Sequence, residues 1–301
     1  MARALQEILK RCDKAGEAYC VFAHGDPVKN FATIAAKLRA KPLVVTDEEG
    51  SFTITYADFV GAILGDLYSI GAGDYVTSDA EFLWTLLATP ATSANAAARA
   101  AAKKGLIKKI TDARNKKPAR DFPYYNGFEA FSGVMCTDAL HPQDASLWPA
   151  LMDKADKRAP YFGRAWGWGS AQCARKTWTV RDEDAYTGPW NRHTAAPVLI
   201  VGTKWDPATN YDDAVSAAKL LPNSRLLSNT NWGHTSYGSS DCATGAIDTY
   251  LLTGKVPAKG TVCQGTYQPF TEPLPTDPDA LASKLSAAAW LPAGGPGRAR
   301  W

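Results

Sequence analysis

Between residues 196 and 254 the spacing of apolar positions switches back and forth between two periods. Residues 196–202 (APVLIVG) form an unbroken apolar run rich in β-branched side chains, as expected of a strand buried on both faces. A polar loop, TKWDPAT, follows. Residues 210–221 (NYDDAVSAAKLL) then repeat apolar positions at helical spacing, with Thr209 or Asn210 available as cap. Pro222 and Asn223 turn the chain into a short strand over 224–229, a second loop (NTNWGHTSYG) comes next, and a helix over 240–252 ends at Gly254. Strands alternating with helices predict an α/β arrangement with a parallel sheet and right-handed crossovers.

Upstream the pattern is mainly helical. Residues 31–40 (FATIAAKLRA) and 78–89 (SDAEFLWTLLAT) carry apolar side chains at helical spacing, and Ser78 and Asp79 are caps by residue type. Residues 91–120 are rich in Ala and Lys, with strong helix propensity and weak amphipathicity, so Lys103, Lys104, Lys108 and Lys109 read as a solvated face. Aromatic residues crowd 121–190, either as packing between helices or as the lining of an apolar cleft. From 271 the chain turns to Pro, Ala and Gly, the composition of a loosely packed or disordered tail. The organisation expected is a helical cap region over 1–195, an α/β segment over 196–270 and the tail over 271–301.

Bulk composition changes this picture little. The 301 residues are 46% hydrophobic and 21% charged, with net charge +3, so no nucleic-acid partner and no anionic membrane are expected. No apolar run approaches the ~18 residues needed to cross a bilayer. Glu7, Lys10, Arg11 and Asp13 interrupt the N-terminal segment, which reads as an amphipathic helix and not as a signal peptide. The six cysteines fall as three local couples, Cys12/Cys20, Cys136/Cys173 and Cys242/Cys263. Many connectivities are possible, and so are buried free thiols. The spacings are not those of a zinc site, and no metal or other cofactor is expected.

Candidate chemistry concentrates in the two loops of the α/β segment. In open parallel sheets, reactive groups sit beyond the carboxyl ends of strands. Asp206 and His234 both occupy that position, separated by one crossover helix and one strand. A nucleophilic hydroxyl needs a base to take its proton, and the base needs an orienting acid. His234 suits the first role and Asp206 the second, with Gly233 allowing a tight turn beside the ring. The plainer alternative is a helix-entry Asp-Pro pair and a surface histidine. His24, His141 and His193 lie in turn-like segments that suggest no competing constellation.

The flanking residues make the reading specific. GTKWDPATNY, NWGHTSY and the Cys242…GTVC263 ending resemble the C-terminal region of tripeptidyl-aminopeptidase-like serine α/β-hydrolases. Asn210 stands where that family usually has proline, which is compatible with a helix start. Further upstream, Cys12…Cys20 with its FAHGDP sequel, NGFEAFSGVMCTD and CARKTW look like parts of the family's lid, so the resemblance covers roughly residues 10–270.

This resemblance implies the C-terminal part of an α/β-hydrolase fold with a large, mostly helical lid, and the three local disulfides as the favoured pairing. It also implies secretion and serine exopeptidase chemistry, the release of short peptides from a free N-terminus. The family's nucleophile sits in G-x-S-x-G ahead of the lid. The nearest string here, Gly238-Ser239-Ser240-Asp241-Cys242, lacks the last glycine and follows the histidine. The expectation is therefore two members of a triad, with the N-terminal strands and the nucleophile elbow absent. Peptide would be the substrate once an N-terminal hydrolase half completes the fold. Glu129 and Asp138 are the carboxylates expected to hold the substrate ammonium. A non-catalytic binding module and an inactive gene remnant are the competing readings.

Overall fold

The computed structural model describes residues 1–47, 50–115 and 127–277, with Ala280, Leu281, Ser283 and Lys284 beyond them. Most of the Pro/Ala/Gly-rich tail lies outside the described residues, as do Phe122, Tyr124 and Tyr125.

Five helices and a hairpin build the first half. Helix α1 (Ala2–Ala15) buries Ala4, Leu5, Ile8, Leu9 and Cys12, one stripe of an amphipathic helix. Helix α2 (Pro27–Ala40) starts four residues before the expected FATIAAKLRA stretch, because Asp26 caps it and Pro27 takes the first turn. Strands β1 (Leu43–Asp47) and β2 (Gly50–Ile54) pair antiparallel, a hairpin the helical reading of this region did not foresee. Helix α3 (Tyr56–Leu67) opens with a capping box between Thr55 and Asp58. Helix α4 (Ala72–Leu87) and helix α5 (Ala96–Asn115) follow.

Two sequence expectations fail here. Ser78 and Asp79 are not caps but mid-helix residues of α4, with Ser78 Oγ donating back to the Asp74 carbonyl at 2.7 Å. Lys109 is not on a solvated face: it is 1% exposed and donates to Asp79. A charge can be buried when a paired, hydrogen-bonded opposite charge offsets its lost hydration.

The core of these helices is continuous. Phe31, Ile34, Phe59, Ile63, Val76 and Leu83 are its centre, each fully buried Ile or Phe contributing roughly 1.5–3 kcal/mol. The same core reaches Trp232 at the end of a strand in the second half. Helices α6 (Gly127–Asp138), α7 (Trp148–Arg158) and α8 (Phe162–Gly169) carry the aromatic-rich stretch. Trp148 and Phe162 are buried, whereas Trp168, Tyr186 and Trp190 are exposed. The crowding of aromatics is therefore only partly packing.

The second half follows the expected strand–helix alternation. Strand β3 (Val198–Trp205), helix α9 (Tyr211–Leu220), strand β4 (Ser224–Trp232), helix α10 (Asp241–Thr253) and strand β5 (Val262–Cys263) form a parallel sheet in the order β3-β4-β5. Asn210 caps α9, Ser240 caps α10, and Gly254 ends α10 in the left-handed conformation. β5 adds a third strand to the two legible in the sequence. The fold is α/β, with the parallel sheet that the alternating strand and helix pattern predicts. Cysteines pair as Cys12–Cys20, Cys136–Cys173 and Cys242–Cys263. Among the described residues no helix is long and apolar enough to cross a membrane.

Candidate active site

Strand register brings the two loops together. β3 and β4 run parallel from Val198 opposite Ser224 to Trp205 opposite Trp232, with an irregularity between Thr203 and Trp205 that re-aims the end of β3. The indole rings of Trp205 and Trp232 stack at 5.1 Å and 13°. Arg11 of α1 lies over the Trp232 ring at 5.2 Å, and Arg3 donates to the Lys204 carbonyl at 2.7 Å. Residues just beyond the two tryptophans, Asp206 and Gly233-His234, are thereby held side by side.

His234 Nδ1 lies 2.9 Å from Oδ2 and 3.0 Å from Oδ1 of Asp206. An ionised carboxylate only accepts, so Nδ1 carries the proton and Nε2 presents its lone pair. Asp206 is buried and also accepts from the backbone of Ala208 and Thr209, both at 2.8 Å, and of Thr235 at 3.0 Å. Burial would raise its pKa. The N–H groups of Thr209, Thr235 and Ala208 and the His234 ring outweigh that and hold the carboxyl below its ordinary value. The His234 side chain keeps 28% exposure, so its free edge is reachable. Among the described residues no hydroxyl is hydrogen-bonded to Nε2.

The histidine loop is fastened from two sides. On the sheet side, Ser236 is buried, 2.6 Å from Thr203 Oγ1, and accepts from Asn229 Nδ2 at 3.1 Å. On the helical side, His234 N donates to the Tyr68 carbonyl at 3.1 Å, and the Tyr68 ring meets the imidazole edge-on at 5.2 Å. Burial, and then the Asp206 charge, push the Tyr68 phenol up. Gly233 has φ +84°, and a Cβ there would lie 2.8 Å from the Tyr68 carbonyl oxygen and the Ser69 carbonyl carbon. Sequence reasoning missed Tyr68, Thr203, Asn229 and Ser236. Ser236 and Thr203 lie inside the NWGHTSY and GTKWDPATNY motifs themselves, but nothing local marks Tyr68.

The other candidates lie elsewhere. Glu129 and Asp138 are both solvent-exposed on α6, which the Cys136–Cys173 disulfide ties to the 3₁₀ turn at Ala171–Cys173. His24 bonds Glu81 at 2.8 Å, with its pKa raised first by that bond, and His141 Nε2 lies 2.9 Å from the Met135 carbonyl. In the GSSDC string, Ser240 caps α10 and Ser239 donates to the Ser236 carbonyl at 2.9 Å. Among the described residues no group of three or more His, Cys, Asp or Glu side chains is placed to hold a metal ion.

Residues 159–263, which contain both Asp206 and His234, match the family described as TAP-like protein. The chain is 32% identical to a tripeptidyl aminopeptidase of Streptomyces lividans over 46% of its own length and 26% of the relative. It is 29% identical to a carboxylesterase B of Mycobacterium tuberculosis over 78% of its own length and 42% of that protein. The matched region thus spans well under half the length of these curated relatives.

Proposed function

We propose, from the match of residues 159–263 to the TAP-like family, that Asp206 and His234 are the acid and base of a serine-hydrolase triad. The observation that carries this reading is the hydrogen bond of Nδ1 to a buried carboxylate at 2.9 Å, with Nε2 left accessible. His234 takes the proton of an attacking hydroxyl and returns it to the leaving group. Asp206 fixes the tautomer and stabilises the imidazolium. The nucleophile belongs to polypeptide outside these 301 residues. The position of β3 supports this: it is the edge of the sheet, its aliphatic residues are only partly covered, and a groove of about 390 Å³ runs beside Val201, Thr203 and Thr209.

The substrate is a peptide with a free N-terminus, cleaved through an acyl-enzyme, and the helical elements before β3 serve as the lid. Glu129 and Asp138 hold the ammonium. Because both are exposed to water, each contributes only about 0–1 kcal/mol. Three disulfides favour an oxidising, extracellular location. The match to a carboxylesterase over more of the chain favours a second reading, ester hydrolysis by the same triad.

The test supplies the missing part. The portion of the S. lividans relative that precedes its matched region is fused ahead of this chain. The fusion is assayed on a tripeptidyl-aminocoumarin with a free amine, its acetylated counterpart and a simple ester. Preference for the free amine supports the aminopeptidase reading, and preference for the ester supports the second. Turnover by the 301-residue chain alone, lost in His234→Ala, would refute the missing nucleophile.

A further inference from the structure

Tyr68 meets His234 twice, once through its main chain and once through its ring. The Tyr68 carbonyl accepts from His234 N at 3.1 Å. Any residue type supplies a backbone carbonyl, so this bond does not account for an aromatic side chain at the position. The Tyr68 ring centre lies 5.2 Å from that of the imidazole, with the two planes at 71°. Those values are the geometry of an edge-to-face aromatic pair.

The corner that carries this ring is itself fixed. Tyr68 N donates to the Gly65 carbonyl at 3.2 Å and Ser69 N to the Asp66 carbonyl at 3.0 Å, closing the end of α3. Gly71 N donates to Ser69 Oγ and Ala72 N to the Ser69 carbonyl, both at 3.2 Å, at the entry to α4. Gly233 lacks a Cβ, which lets the histidine loop approach this backbone. Tyr56, Tyr161 and Tyr267 pack their rings on the helical core, whereas the half-buried Tyr68 ring stands against the imidazole.

One hydrogen bond does not hold an imidazole in place. The torsion that turns a histidine ring about its Cβ–Cγ bond is broad. Rotation about it would take Nδ1 off Asp206 and turn Nε2 away from an attacking hydroxyl. Proton transfer between positioned groups tolerates little such error. A packed neighbouring ring limits the rotation without competing for either ring nitrogen. Burial and the Asp206 charge keep the Tyr68 phenol protonated, so this neighbour adds no second negative charge beside the base.

We infer that the Tyr68 side chain is a positioning residue for His234: its ring confines the imidazole to the orientation in which Nδ1 stays on Asp206 and Nε2 stays reachable. The inference rests on the reading of His234 as the base. It makes the corner between α3 and α4 part of the acid–base machinery.

The experiment compares the 301-residue chain with Tyr68→Leu, which removes the ring, and Tyr68→Phe, which keeps it. Both variants retain the carbonyl that accepts from His234 N. With isotope-labelled histidine, NMR at one fixed pH gives the tautomer of His234 and the rate at which its Nδ1 proton exchanges with water. The two ring-nitrogen shifts separate imidazolium from the neutral tautomers, so titration of the ring is not mistaken for movement. Tyr68→Leu is expected to speed the exchange by about 2- to 10-fold, the range set by one edge-to-face pair. Tyr68→Phe is expected to leave it unchanged. In the fusion described above, Tyr68→Leu should lower kcat by a similar factor with KM little changed, a split that a loss of stability alone does not produce. Unchanged exchange or unchanged kcat in Tyr68→Leu, or an equal change in Tyr68→Phe, overturns the inference while leaving the acid–base reading intact. If neutral His234 carries its proton on Nε2 in the unsubstituted chain, the acid–base reading falls and this inference with it. Should Tyr68→Leu not fold, nuclear Overhauser contacts between the Tyr68 and His234 rings in the unsubstituted chain decide, and their absence overturns the inference.

Discussion

The main-chain N–H of His234 donates to the carbonyl of Tyr68 at 3.1 Å. The loop carrying the candidate base is therefore fixed to the corner between α3 and α4 as well as to the sheet through Ser236 and Thr203. Residues far apart in sequence share one rigid site, and the helices before β3 are part of its foundation.

That corner leaves no room beside Gly233. Gly233→Ala introduces a Cβ 2.8 Å from backbone atoms of Tyr68 and Ser69 at φ +84°. The strained backbone alone is expected to cost roughly 1–3 kcal/mol, read as a lower midpoint in urea unfolding. An unchanged midpoint would mean the contact does not exist in solution.

Sequence patterns revealed the α/β segment because each signal there is local. The run APVLIVG marks a buried strand, Asn210 and Ser240 cap the helices that follow, and Gly254 stops the last one. Asp206 and His234 are legible as a candidate pair because each sits in a loop beyond the carboxyl end of a strand and inside a local motif, GTKWDPATNY and NWGHTSY. The corner at Tyr68 was not, because a backbone carbonyl carries no residue-type signal and its partner lies on a distant loop. Lys109 carries no sequence mark of burial, because a lysine in an Ala/Lys run is normally solvated and its partner Asp79 lies 30 residues away. The hairpin at 43–54 carries a real but short signal: Ser51-Phe52-Thr53-Ile54 alternates polar and apolar, with Phe52 and Ile54 buried on β2, over too few residues to stand out between two helical stretches.

Lys109→Met tests the buried pair. Removing the ammonium leaves the buried Asp79 with no positive partner, and a loss of about 3–5 kcal/mol is expected. Combining it with Asp79→Leu should recover much of that loss. Chemical denaturation of the two variants checks both statements, and a harmless single substitution would contradict the pair.

Asp206→Asn has a stability signature independent of turnover. The Asp206 carboxyl is held below its ordinary pKa, so its contribution is full above the unfolded value and is lost as pH falls through the folded one. The acid limb of the stability profile, from about pH 4 downward, is expected to flatten in the Asn variant. Thermal unfolding between about pH 2 and 6 reads this directly, and identical acid limbs would count against the Asp206 hydrogen bonds.

Cys242–Cys263 ties the start of α10 to β5 across 21 residues of sequence. Replacing both cysteines by serine is expected to cost about 3 kcal/mol through the freed unfolded chain. Midpoints with and without reductant should converge in a chain where all three disulfides are removed.

The central claim is that His234 acts as base with Asp206 behind it. Its most direct test is the turnover number, on a free-amine tripeptidyl-aminocoumarin, of the fusion carrying the N-terminal portion of the S. lividans relative. Substituting His234→Ala or Asp206→Asn is expected to lower it by about 10⁴-fold, with binding of the substrate little changed. A fusion that turns over equally well without His234 would contradict the account.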